Sequence, residues 1–284
     1  MPGLTERLLY RVAKRWIAGY SLEDAIEVAH DANNRHLRAI LNRLGEHTPD
    51  EKLIQSYAEE YLKLLDRIRD EKIDGTISVK PSQIGLAANP TLYNSNLLRI
   101  VEKAETNDEE FVWIDMENSP YTEATIRTYL EILPSYPRLG VCLQANMKRT
   151  ESDLMDLIHR GGRIRLVKGA YPESAEVAYK KRSDVDANYL KLMTMLFEEG
   201  DHFAIGTHDG KLIDKARTLA KDYKRDFEFQ LLKGIRDDIK PSLVNEGYRV
   251  CEYIPYGPEW YNYSKRRMRE RKRNILLLLR SITG

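Results

Sequence analysis

The chain has 284 residues, 45 Lys and Arg against 44 Asp and Glu, a formal net charge of +1, and 42% hydrophobic with 31% charged residues. That balance excludes a wholly basic nucleic-acid coat protein and a disordered polyelectrolyte, and it predicts a soluble, folded chain. The neutrality is uneven, because residues 261–284 carry eight bases and one acid while the other 260 residues sum to −6. The longest apolar run, residues 275–279, falls far short of the roughly 20 residues that a membrane-spanning helix needs. Charges at Glu6, Arg7, Arg11, Lys14 and Arg15 break up the N-terminal 20 residues, which therefore do not read as a signal peptide, and the expected location is cytoplasmic. Cys142 and Cys251 are isolated among apolar neighbours, so neither a disulfide framework nor a metal site is expected.

In chain order, Ser21-Leu22-Glu23-Asp24 reads as the start of a helix that precedes any strand, so residues 1–37 form a helical preface. Short β-branched or apolar runs follow at 38–44, 76–80, 111–116, 140–145, 163–168, 202–208, 226–231 and 248–254. Their starts step by about 30 residues, the size of one βα repeat. Thr48, Pro49 and Glu51 mark the first intervening helix as N-cap, first-turn proline and early carboxylate, and Leu53, Tyr57, Tyr61, Leu64 and Ile68 follow at helical spacing. Eight such units predict a (β/α)8 barrel over residues 38–284, as one domain with its preface.

In such a barrel the active site lies at the C-terminal ends of the strands. Those ends are polar here: Lys80, Asp115, Gln144, Lys168, the Thr207-His208 pair, Gln230 and Tyr253. Each has an ordinary alternative, such as a core histidine at 208, a solvent-facing Lys80 before Pro81, or a turn cap at Asp115. Arg165 is harder to place on a surface, since strand alternation sets Arg163 and Arg165 on one face and Ile164 and Leu166 on the other. Together the groups imply a ligand or a mutual network, because burying Lys, Asp or Arg unpaired is costly. Further on, Tyr263, Arg266, Arg267 and Glu270 share one helical face. That face reads either as an exposed stripe with an Arg266–Glu270 pair or as a bidentate guanidinium site for a carboxylate or phosphate. Residues 265–273 hold seven bases but no interleaved aromatic platform, so no nucleic-acid partner is expected.

The segments 165–171 (RLVKGAY), 206–209 (GTHD), 227–236 (FEFQLLKGIR) and 253–257 (YIPYG), continuing through Trp260, Tyr263, Arg266, Arg267 and Glu270, resemble the proline dehydrogenase family in order and spacing. The similarity extends upstream through 78–82 (SVKPS) and 114–117 (IDME), and it covers nearly the whole chain in the manner of the short monofunctional enzymes. The resemblance implies a distorted (β/α)8 barrel that uses FAD to oxidise L-proline to Δ1-pyrroline-5-carboxylate and passes the electrons to a quinone. It also implies residue roles. Arg165 and Asp115 would be catalytic, with Arg165 near the flavin. Met116, Gln144, Lys168, Gly169, Ala170, Thr207, His208 and Gln230 would join Arg165 in lining the FAD. Lys80, Arg266 and Arg267 would hold the proline carboxylate, and Tyr171, Leu232 and Tyr253 would close over its ring.

Asp115 then serves as an orienting partner for Tyr253 or Lys80 rather than as a proton acceptor. Asp209 stands where the family usually has asparagine, and an acid facing the phosphates would weaken flavin affinity. Two rival readings are a flavin-free lyase or aldolase with a Schiff-base lysine at 80 or 168, and a barrel that binds a partner through its basic C-terminal helix. The apolar tail, residues 275–282, suits core packing or a subunit contact, and alternatively a peripheral contact with the inner face of the cytoplasmic membrane.

Overall fold

The computed structural model describes residues 4–107, 111–261 and 263–265. Arg266, Arg267, Glu270 and the apolar tail lie outside the described residues.

Two helices come first, α1 (Leu4–Ala13) and α2 (Leu22–Asn34), followed by β1 (Arg38–Arg43), α3 (Glu51–Asp70), β2 (Gly75–Val79) and α4 (Pro90–Thr106). The order continues with β3 (Val112–Ile114), α5 (Ser119–Ile132), β4 (Leu139–Gln144), α6 (Thr150–His159), β5 (Arg163–Val167) and α7 (Arg182–Glu199). It closes with β6 (His202–Gly206), α8 (Gly210–Asp222), β7 (Asp226–Leu232), α9 (Lys240–Asn245) and β8 (Arg249–Tyr256). The eight strands are parallel, pair in sequence order, and close where β1 meets β8 in the register Ile40 to Tyr253. Every predicted strand exists within a few residues of its expected bounds. The polar residues expected at the strand ends mostly sit at or just beyond the last ladder position, as Lys80 and Asp115 do.

The helix starts follow local chemistry. Ser21 closes a reciprocal capping box with Asp24, as its sequence suggests. The start of α3 needs a correction: the N-cap is Asp50, whose side chain accepts from the Leu53 amide, and Thr48 lies before the helix. The apolar stripe shifts with it. Leu53 is 42% exposed, and Ile54 takes its place among Tyr57, Tyr61, Leu64 and Ile68 on the buried face.

Outward-facing strand residues such as Ile77, Val79, Ile164 and Leu166 join the surrounding helices in one continuous apolar layer. The barrel interior has a smaller apolar plug made of Ile40, Trp113, Ala204 and Cys251. Trp113 fits because its neighbour on β4 is Gly140, where a Cβ would come within 2.6 Å of the indole ring. The plug floors the site above it.

Candidate active site

A cavity of about 580 Å³ opens at the C-terminal ends of the strands. Lys80, Asp115, Met116, Gln144, Arg165, Lys168, Gly169, Ala170, Tyr171, Thr207, His208, Gln230, Leu232 and Tyr253 all line it, so every expected site residue that the structure describes reaches one space.

At its centre, Asp115 extends β3 and receives four donors. Ser78 Oγ lies 2.7 Å and Arg165 Nη2 2.5 Å from Oδ1, while Lys80 Nζ at 2.8 Å and the Tyr253 hydroxyl at 2.6 Å reach Oδ2. Strand alternation produces this convergence, since Ser78 near the end of β2 and Lys80 just beyond it sit two apart, and Arg165 points inward from β5. The Arg165 guanidinium is buried, lies 5.1 Å from the Trp113 ring and 5.6 Å from the Tyr253 ring, and donates to Gln230 Oε1 at 3.1 Å. Burial alone would raise the Asp115 pKa, but Lys80 and Arg165 outweigh it and hold the carboxyl well below the usual range. Burial alone would likewise lower Lys80, and the Asp115 carboxylate reverses this, so the amine is held protonated. Burial and then Asp115 push the Tyr253 phenol well up. The cavity lining as a whole carries Lys80, Arg165, Lys168, Arg182 and Arg236 against Asp115 and Asp209, a surplus of positive charge suited to an anionic ligand. A lysine held protonated at 80 is poorly suited to imine chemistry, and a carboxylate that accepts from four donors is suited to orienting them.

The other wall is built from backbone and shorter polar groups. Gln144 donates to the Glu117 carbonyl at 2.8 Å, which fixes its amide. Gly169 has φ +102°, and a Cβ there would collide with the Asn146 side chain, so this approach requires glycine. The Leu232 amide donates to His208 Nε2 at 2.9 Å, so the neutral ring carries its proton on Nδ1. Lys168 pairs with Asp186 and, at 2.8 Å, with Asp209. Asp209 also faces Arg182 at 3.4 Å and caps α8 by accepting from the Lys211 amide. Its carboxyl lies below the usual range because the Lys168 contact outweighs burial. The unexpected acid is thus charge-compensated.

Two contributors escaped the sequence reading. Ser78 bridges Asp115 and Arg165, and its i, i+2 relation to Lys80 was a usable signal. Glu46 lies 3.7 Å from Lys80 and accepts from the Tyr171 hydroxyl at 3.2 Å, although it sits in a loop without local pattern. Tyr263 also lines the cavity, which places the first member of the predicted Tyr263, Arg266, Arg267 face at the site. Among the described residues, Glu46, His47 and Glu117 bring ligand atoms within 4.8 Å of one another, but both Glu117 oxygens accept from Ser82.

The size and the cation-rich lining of the cavity would accommodate a cofactor beside a small anion. The cavity is within the usual size for such sites, a conformationally demanding glycine brings backbone close, and fixed cations and amides face inward. Comparison with known proteins gives the same direction. Residues 25–275 match the family model described as proline dehydrogenase. The chain is 34% identical to proline dehydrogenase 2 of Bacillus subtilis over 287 aligned positions, covering 97% of this chain and 94% of that one. It is 32% identical to proline dehydrogenase of Deinococcus radiodurans, covering 98% and 92%. Among solved structures, proline utilization A of Bdellovibrio bacteriovorus, inactivated by N-propargylglycine, superposes with a TM-score of 0.87 at 24% identity. That match spans 94% of this chain but only 33% of the longer protein, and it speaks to the barrel fold.

Proposed function

The chain belongs to the proline dehydrogenase family, and on that premise we propose that it is a flavin-dependent enzyme that oxidises L-proline to Δ1-pyrroline-5-carboxylate and hands the electrons to a quinone. The observation that carries this reading is the Lys80, Asp115, Arg165 and Tyr253 cluster on the cavity floor, with its carboxylate fully engaged and its net charge positive. The FAD would be held by Met116, Gln144, Arg165, Lys168, Gly169, Ala170, Thr207, His208 and Gln230, and it would supply the two-electron acceptor for the hydride released beside the ring nitrogen.

The chain's own task is placement. Lys80 offers its charge to the proline carboxylate, together with Arg266 and Arg267, while Tyr171, Leu232 and Tyr253 close over the ring. Asp115 keeps Lys80, Arg165 and Tyr253 in position and takes no proton, so the substrate amine loses its proton to water. Arg165 stabilises the negative charge that accumulates during reduction. The purified protein is expected to be yellow, and adding L-proline without oxygen or acceptor is expected to bleach it. Colourless protein that stays inert after reconstitution with FAD would overturn the reading. Replacing Arg266 or Arg267 is expected to raise KM for proline far more than it lowers flavin content.

A further inference from the structure

The hydrogen bonds that hold Arg165 do not stop at the cavity. Gln230 Oε1 accepts from Arg165, and the other end of the same amide, Nε2, donates to Glu228 Oε1 at 2.5 Å. Glu228 lies two residues earlier on β7, faces the interior and is 6% exposed. It in turn faces Arg38 Nη1 at 3.9 Å, and Arg38 donates to Asp74 at 2.7 Å near the opposite mouth of the barrel.

An amide has nearly the same shape when turned by 180°, so packing alone does not choose which end meets Arg165. A carboxylate only accepts. Opposite Glu228, Nε2 must point down, and Oε1 must therefore point at the guanidinium. We propose that Glu228 is a positioning residue for the active site, acting through Gln230 to hold Arg165 against the cavity. Cys251 supports the arrangement from β8: burial, and then the Glu228 carboxylate, raise its pKa well above the usual value, so the thiol remains a donor beside that carboxylate. Reversing the amide would set an N–H group against a buried cation that itself donates to Asp115 and Ser78.

This inference rests on the proposed function only where flavin is the probe, and its test has an arm that needs none. In selectively labelled protein, the Gln230 side-chain amide, identified by its loss in Gln230→Met, is expected to exchange with solvent at least ~10-fold faster in Glu228→Gln than in the parent. An unchanged rate overturns the proposal, whether or not flavin is bound. With FAD bound, sulfite affinity reports positive charge near the reactive face, and Glu228→Gln is expected to weaken it about 10-fold while KM for proline stays within about twofold. In the Gln230→Met background the same change is expected to have no further effect on sulfite affinity. Additive losses, or a lowered Tm with unchanged sulfite affinity, would make Glu228 merely structural. Failure of the wild-type protein to bleach with proline would defeat the functional reading and leave the amide-exchange arm standing.

Discussion

Asp115 is the residue on which the others depend. It is 8% exposed and accepts from Ser78, Lys80, Arg165 and Tyr253, so removing its charge takes the carboxylate from Arg165 and leaves Lys80 only the more distant Glu46 at 3.7 Å. Breaking one side of a buried pair costs about 3–5 kcal/mol, whereas exposed ion pairs are worth well under 1 kcal/mol. Asp115→Asn is therefore expected to lose a few kcal/mol in equilibrium urea unfolding at pH 7. The sign of the pH dependence follows from the directions of the shifts. The folded carboxyl is depressed, so its contribution is fully present above the unfolded value of about 3.9 and declines as pH falls toward the folded value. Lys80 is raised, so its contribution is present below the ordinary lysine value of about 10.4 and declines only as pH rises through the folded one. The stability gap between the parent and Asp115→Asn should thus stay constant from about pH 5 to pH 9 and narrow below about pH 4. A gap that already shrinks near pH 6 would show that the cluster is not a closed ion network.

At the scale of elements, the strands were legible because a barrel repeats one pattern eight times, and inward polar residues betray themselves by period two. Ser78 with Lys80 at the end of β2, and Glu228 with Gln230 on β7, are such pairs. What was illegible depends on reach or on distance along the chain. Whether Thr48 or Asp50 caps α3 is decided by which side chain meets the Leu53 amide, and the one-residue change from Leu53 to Ile54 follows from how α3 lies on the sheet. The end of β1 shows the second cause. Arg43 is buried, donates to Glu60 on α3 at 3.0 Å and to Glu259 at 2.5 Å, and lies 5.1 Å from the Tyr57 ring, while the Tyr57 hydroxyl donates to Glu259 at 3.1 Å. No local sequence signal joins residues 216 positions apart. This contact fastens the segment after β8 to the first strand and its helix. Arg43→Met is expected to speed amide exchange in residues 257–265 while leaving β1 through β8 protected, as mass spectrometry of exchanged peptides would read. Uniform loss of protection would instead make Arg43 a support of the whole barrel.

On the scale of the whole molecule, the helical preface and the segment after β8 support each other. Ala25, Ile26, Ala29 and Ala32 of α2 are buried within the main apolar layer, and α2 packs against β1 and β8, the strands whose pairing closes the barrel. Just before α2, Ala13, Trp16 and Ile17 form a separate apolar cluster with Leu44, Trp260 and Tyr263. Trp16 Nε1 donates to Ser264 Oγ at 3.0 Å, a contact between residues 248 positions apart. Tyr263 belongs to this cluster and also lines the cavity, so the cluster backs the cavity wall at that point. Trp16 is 5% exposed, and truncating a buried tryptophan to alanine costs about 3–5 kcal/mol where the surroundings do not collapse. In this protein the loss falls outside the layer that holds the barrel closed, so it should loosen the wall before it loosens the barrel. Trp16→Ala is expected to raise KM for L-proline about tenfold, with kcat and flavin content each within about twofold of the parent. Steady-state kinetics beside flavin absorbance would read the two effects separately. Parallel falls in flavin content and kcat at unchanged KM would mean that the preface supports the cofactor wall instead of the substrate side.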